Sequence, residues 1–271
     1  MSSPAALSPY DRGLHFGDGL FETIACTAGK ARFLSLHLER LASGCERLHI
    51  NLGDIAPLRR EIQDIAASAG DVLVKLIVTR GDAVARGYGW SGTEVATRLV
   101  LQYPLPPADE ALVRDGIRAG IAKLRYGENE LLAGMKHLNR LEQVLARSEV
   151  PAGDATELLV FSSSGALVSG TMSNVFLARH GRLFTPRLDR CGVAGVMRRV
   201  VLREAAADGV PVAEANLTAD DLAAADEVFV TNARIGVWPV RALGERELGV
   251  GALTRRVQAR LAPLLRSAPD A

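Results

Sequence analysis

Gly134-Met-Lys-His-Leu-Asn-Arg-Leu-Glu-Gln143 is the stretch on which the reading of this chain turns. It contains Lys136, one of only four lysines (with Lys30, Lys75 and Lys123) among 32 basic residues. An amine that is buried or crowded by charge loses its proton and becomes a nucleophile or base, which a guanidinium does not do. Directly after it a helix is expected over 140–148, with Leu141, Val144 and Leu145 on one face. Asn139 is the expected N-cap, and Glu142 stands three residues further on, as in a capping box. Lys136 is thereby expected just outside a helix start, in extended or turning backbone.

Toward the N-terminus, helices are expected over 35–48, where Leu38, Leu41, Cys45 and Leu48 recur at helical spacing, and over 57–69, opened by Pro57 and closed by Gly70. Residues 71–80 and 97–103 are aliphatic and β-branched and read as strands. Tyr103-Pro-Leu-Pro-Pro107 continues neither a central strand nor a helix. The boundary is read there: a first domain over 1–105, a linker over 106–113, and a larger second domain over 114–271 that carries Lys136. In the second half, strands are expected over 117–124, 157–161, 166–168, 174–178 and 227–231. His180-Gly181 forms a turn into Leu183-Phe184, and a helix covers 196–207. Hairpins with interspersed helices define an α+β fold rather than a doubly wound parallel sheet.

Composition removes several function classes. A formal net charge of +1 offers no electrostatic basis for binding nucleic acid or an anionic membrane. No apolar stretch approaches the roughly 20 residues of a membrane span, and residues 1–10 lack a charged start followed by an apolar run. Cys26, Cys45 and Cys191 are widely separated, which suits reduced thiols, and a cytoplasmic protein is expected. The five histidines, His15, His37, His49, His137 and His180, show no metal-ligand spacing. His37 and His49 are expected on helix surfaces or half-buried, and Gly17-Asp-Gly19 as a tight turn.

Four separated segments carry the chemistry. They are Asp11-Arg-Gly-Leu-His-Phe-Gly-Asp-Gly-Leu-Phe-Glu-Thr23, His37-Leu-Glu-Arg-Leu41, Lys136-His-Leu-Asn-Arg-Leu-Glu142 and Gly192-Val-Ala-Gly-Val-Met-Arg198. In the last, small residues run into a helix N-terminus, where exposed N–H groups suit a phosphate. Arg40 offers a forked pair of donors for the same anion.

Taken in order, these segments resemble the fold-type IV pyridoxal-phosphate enzymes, which include branched-chain and D-amino acid aminotransferases and 4-amino-4-deoxychorismate lyases. The resemblance runs from Asp11 to about Val240. The Lys136 segment, Arg86-Gly-Tyr88 and Thr185-Pro-Arg-Leu-Asp189 look most like the lyase branch, since the aminotransferases typically have a tyrosine where this chain has Leu141. The resemblance implies a two-domain α+β fold with a cofactor cleft between the domains, a homodimer, and pyridoxal 5'-phosphate held by Lys136, which then serves as general base. Arg40, the Gly195-Val196-Met197 helix start and the Asn232-Ala233 turn are implied to hold the phosphate. Thr23 is implied to serve the departing enolpyruvyl group, and Arg86 and Tyr88 the carboxylates of the small-molecule substrate, 4-amino-4-deoxychorismate. An aminotransferase on the same scaffold and a non-catalytic cofactor-binding protein are the alternatives. One departure stands out: Ser169-Gly-Thr-Met-Ser-Asn174 has a serine where the family has a glutamate facing the pyridine nitrogen. A serine hydroxyl can donate to an unprotonated nitrogen but cannot hold it protonated, which weakens the ring as an electron sink and favours elimination over transamination.

Overall fold

The computed structural model describes residues 7–150, 156–267 and 270. Its contacts divide the chain into two compact units. The first gathers the residues up to Leu105, the short segment Met135–Asn139 and the chain from Arg266 on; the second holds Pro106–Gly134 and Arg140–Leu265.

In the first unit, α1 (Arg12–Phe16) precedes β1 (Gly19–Thr27), β2 (Lys30–Ala31), α2 (Leu34–Arg47), α3 (Ala56–Ala69), β3 (Val72–Thr79) and β4 (Thr97–Pro104). The sheet order is β2-β1-β3-β4, all antiparallel, with Thr23 opposite Lys75 and Leu20 opposite Val78. The period of two along β1 and β3 turns Leu20, Ile24, Val74, Leu76 and Val78 into the core. The apolar stripes of α2 (Leu34, Leu38, Leu41, Cys45) and α3 (Leu58, Ile62, Ala66) are buried in the same unit. Gly17 closes α1 with φ of 65°, a conformation that costs glycine nothing.

In the second unit the elements are α4 (Glu110–Asp115), β5 (Ile117–Tyr126), α5 (Leu141–Ser148), β6 (Glu157–Ser162), β7 (Leu167–Gly170), β8 (Asn174–Arg179), β9 (Arg182–Pro186), α6 (Val196–Ala207), β10 (Val212–Ala215), α7 (Ala219–Ala223), β11 (Glu227–Asn232), β12 (Gly236–Leu243), β13 (Arg246–Glu247) and α8 (Ala252–Ser267). The strands form one mixed sheet, β10-β9-β8-β11-β12-β5-β6-β7, with β13 beside β12. Three of its pairings are parallel, β10 with β9, β12 with β5 and β5 with β6. The sheet curls until β7 lies against β8 and β9, enclosing a core of Ile117, Leu159, Phe161, Val175, Leu177, Val228, Val230, Trp238 and Val240. Phe176 and Phe229 stack at 4.9 Å.

Three expectations change. The span 106–113 is not a plain linker: Asp109 caps α4, accepting from Leu112 N, and Leu112 and Val113 pack on the second unit's core. Lys136 does not group with the larger unit. Phe21 N–H donates to Lys136 O at 2.9 Å and Leu138 N–H to Gly19 O at 2.9 Å, so His137 forms a single antiparallel bridge with Leu20 of β1. The expected capping box at α5 is absent. Arg140 takes the N-cap place without a side-chain bond that caps the helix, while Asn139 donates to Gly17 O and Glu142 accepts from Gly127 N. Leu141, Val144 and Leu145 do share a face, but that face is exposed.

Candidate functional site

The site residues of the first unit are arranged around β1. Alternation places Leu20, Glu22 and Ile24 on one side of the strand and Phe21 and Thr23 on the other. The Lys136 amine lies over the Phe21 ring, 4.2 Å from its centroid, so the half-buried Thr23 shares a strand face with the ring that the amine covers. On the opposite face Glu22 is 1% exposed and accepts three bonds, from His37 Nδ1 at 2.6 Å, Arg40 Nε at 2.8 Å and Arg40 Nη2 at 2.5 Å. Burial alone raises this carboxyl; the Arg40 charge and the hydrogen bonds of His37 and Arg40 overcome it and hold Glu22 at about 2. Arg40 is thus a fork fixed by a carboxylate rather than a swinging surface arginine.

His37 is fully buried, contrary to the half-exposed position expected for it. It sits on the apolar stripe of α2 because its partner faces it from β1. Burial lowers its pKa further than the Glu22 bond raises it, with the Arg40 and Lys136 charges adding to the lowering. The ring is therefore neutral, with Nδ1–H donating to Glu22. Glu22 was missed in the sequence. Its signal was a charged residue at an inward position of an alternating strand, between Leu20 and Ile24.

Arg86 and Tyr88 are exposed, on the loop between β3 and β4. That loop is gripped by its backbone. Arg12, itself buried, donates to Tyr88 O at 2.8 Å and Gly89 O at 3.0 Å, and its Nε bonds Asp18 at 2.9 Å. Arg80 joins the same carboxylate and lies 4.5 Å from the Trp90 ring centroid. Asp18 is held below the usual carboxylate range: burial opposes this, and the two arginines prevail.

In the second unit, Gly195 is the N-cap of α6, no side chain caps the helix, and Val196 and Met197 are buried behind it. A Cβ on Gly195 would stand 2.0 Å from Asn174 Oδ1, so glycine here leaves room for the Asn174 side chain. Asn174 is tied in turn to Val193 O at 2.9 Å. The turn after Gly170 is clamped by buried Glu157, which accepts from Thr171 N and Oγ1 and from Ser173 Oγ. Asn232 donates to Met172 O at 3.1 Å, bringing the Asn232-Ala233 turn to that same segment. Ser169, Gly195–Met197 and Asn232-Ala233 are thereby linked through residues 171–174. Uncapped N–H groups beside a glycine cradle fit a phosphate, and with a lysine amine in the chain the donor set suits pyridoxal phosphate.

The Amino-transferase class IV model matches residues 19–243, and the chain belongs to that family. It is 46% identical to 4-amino-4-deoxychorismate lyase from Pseudomonas aeruginosa, whose crystal structure superposes with a TM-score of 0.93 over 97% of each chain. It is 35% identical to aminodeoxychorismate lyase from Vibrio harveyi, covering 93% of this chain and 94% of that protein. D-alanine aminotransferase from Bacillus licheniformis is 29% identical, over 96% of this chain and 92% of its own.

Proposed function

We propose that this chain is a pyridoxal-phosphate-dependent lyase that converts 4-amino-4-deoxychorismate to 4-aminobenzoate and pyruvate. The observation that carries the reading is the 46% identity, at a TM-score of 0.93, to a protein of that name. Bound pyridoxal phosphate supplies an electron sink that acidifies the carbon bearing the substrate's amine. Lys136 would hold the cofactor and would serve as the base that removes the proton from that carbon. The bond from the neighbouring ring carbon to the ether oxygen then breaks, the six-membered ring becomes aromatic, and the enol takes a proton to become pyruvate. Thr23 or Lys136 supplies that proton. Arg40, the N–H groups of Val196 and Met197 and the Asn232-Ala233 turn hold the phosphate; Arg86 and Tyr88 take the substrate's carboxylates.

Lack of a carboxylate at position 169 suits this chemistry, because the gain of aromaticity drives the elimination and asks less of the ring. A branched-chain or D-amino acid aminotransferase is the second reading, favoured by the 31% identical putative branched-chain-amino-acid aminotransferase from Methanocaldococcus jannaschii and the 29% identical D-alanine aminotransferase. The exposed Leu141, Val144 and Leu145 of α5, with Leu131 nearby in sequence, support a homodimer, and sedimentation of the purified protein at a monomer mass would refute it. A cytoplasmic location is proposed as well, in keeping with the free thiols of Cys26, Cys45 and Cys191; no helix among the described residues is long and apolar enough to cross a membrane.

The test is an absorbance time course of cofactor-loaded protein with 4-amino-4-deoxychorismate. Release of 4-aminobenzoate by the wild type and not by Lys136→Ala supports the lyase. Loaded protein that releases none, yet exchanges amino groups between branched-chain or D-amino acids and keto acids, moves the assignment to the aminotransferase.

A further inference from the structure

The Gly17-Asp-Gly19 turn has no part in the chemistry proposed above, yet its two glycines deliver one side chain to a defined place. Gly17 ends α1 in the left-handed region, and a Cβ on Gly19 would stand 2.4 Å from Val78 O. The turn thus runs tight against β3 and brings the Asp18 carboxylate to Arg12 and Arg80. That carboxylate takes three donors: Arg80 Nε at 2.8 Å, Arg80 Nη2 at 3.0 Å and Arg12 Nε at 2.9 Å. Each guanidinium is thereby fixed in direction, and its other N–H groups reach backbone. Those of Arg12 meet Tyr88 O at 2.8 Å and Gly89 O at 3.0 Å, with Gly87 O at 3.4 Å. Those of Arg80 meet Leu48 O at 2.7 Å and His49 O at 2.8 Å, at the end of α2, and the same guanidinium lies over the Trp90 ring. Stability alone does not call for two buried arginines on one carboxylate, since apolar side chains of similar volume hold a turn at least as well. What a guanidinium fork adds is direction. It holds three successive carbonyls, 87 to 89, where the loop presents Arg86 and Tyr88. Both of those side chains are exposed, so their placement follows from the backbone beneath them.

We infer that Asp18 is a positioning residue for substrate recognition: through Arg12 and Arg80 it fixes the backbone of residues 87–90 against the end of α2, and so aims Arg86 and Tyr88 at the substrate's carboxylates. This rests on the functional reading above and deepens it. The anchor is the end of α2, held by Arg80. The direction of Arg40, further back on the same helix, is set by Glu22 instead. Loss of the Asp18 charge therefore frees the loop and leaves the phosphate arginine in place.

The experiment is a double-mutant cycle of Asp18→Asn with Arg86→Ala in the cofactor-loaded enzyme. It reads KM and kcat for 4-amino-4-deoxychorismate, cofactor affinity, and quenching of tryptophan fluorescence by acrylamide. Asparagine keeps the shape of Asp18 but offers one acceptor oxygen to three donors. Arg86→Ala alone should raise KM roughly 10- to 100-fold, the equivalent of a hydrogen bond between charged groups. Asp18→Asn alone should raise KM at least about fivefold through misplacement of the loop, with kcat and cofactor affinity within about twofold of wild type. The double variant should stay within about twofold of Arg86→Ala alone, because an arginine that is no longer aimed has little left to lose. Trp90, 50% exposed, should open further to acrylamide while Trp238, 6% exposed, stays shielded, which separates a freed loop from a loosened fold. If Asp18→Asn does not fold, Arg12→Lys keeps the partner charge but replaces the fork by a point donor, and the same non-additivity with Arg86→Ala is expected. Effects on KM that multiply, as for independent sites, overturn the inference alone, and so does a wild-type KM in Asp18→Asn. Loaded wild type that releases no 4-aminobenzoate overturns the functional reading, and the inference with it.

Discussion

Replacing Glu22 with glutamine tests whether the carboxylate under Arg40 is what holds the first unit's site together. In the structure Glu22 is 1% exposed and takes three donors, one from His37 and two from Arg40. An amide has one acceptor oxygen, and its nitrogen would face one of those donors head on. Glu22 goes from an ordinary 4.5 to about 2 on folding. At about 1.4 kcal/mol per unit, that difference is worth on the order of 3 kcal/mol at neutral pH, similar to the cost of breaking a buried ion pair. The sign follows from the depression: the stability is complete above the unfolded value and is lost as pH falls toward the folded one. Urea unfolding of wild type and Glu22→Gln should therefore show a gap of about 3 kcal/mol from pH 8 down to about 5, shrinking to roughly half by pH 3. A neutral-pH gap below about 1 kcal/mol, or one that does not narrow on acidification, would refute the argument.

Two further outcomes follow from the loop and the cradle. Arg12→Met removes the donors to Tyr88 O and Gly89 O and should ease opening of the loop by about 2 kcal/mol, so trypsin should cut after Arg86 roughly 30-fold faster; an unchanged rate would mean that Arg12 does not restrain the loop. Gly195→Ala places a Cβ 2.0 Å from Asn174 Oδ1 and should lower stability by about 1–3 kcal/mol while weakening cofactor uptake; a variant with wild-type melting and affinity would show that the close approach is dispensable.

Much of the local structure was legible because its cause is local. The stripe on α2 follows from 3.6-residue periodicity, the strands β3 and β4 from runs of aliphatic and β-branched residues, and the stop before Pro107 from proline's missing donor. The failures share a different cause. Asn139 and Glu142 have the types and spacing of a capping box, but Gly17 O and Gly127 N, distant in sequence, compete for their side chains and win. His37 looked like a surface residue because the carboxylate that makes its burial tolerable lies on β1, 15 positions away.

The order and type of the reactive residues belong to the sequence alone: the lysine in its segment, the arginine at Arg40, the glycine before α6, and a serine where the family has an acid. Those are statements about which groups the chain possesses. Which of them are committed was settled only by tertiary structure. Glu22 takes the Nε and Nη2 donors of Arg40 and so fixes the direction of its guanidinium, and Gly170 O takes the Ser169 proton. The reason is that a hydrogen bond is exclusive and short-ranged. The donor that remains for a ligand is whatever the folded chain has not already used, and that remainder depends on contacts between residues far apart in the sequence.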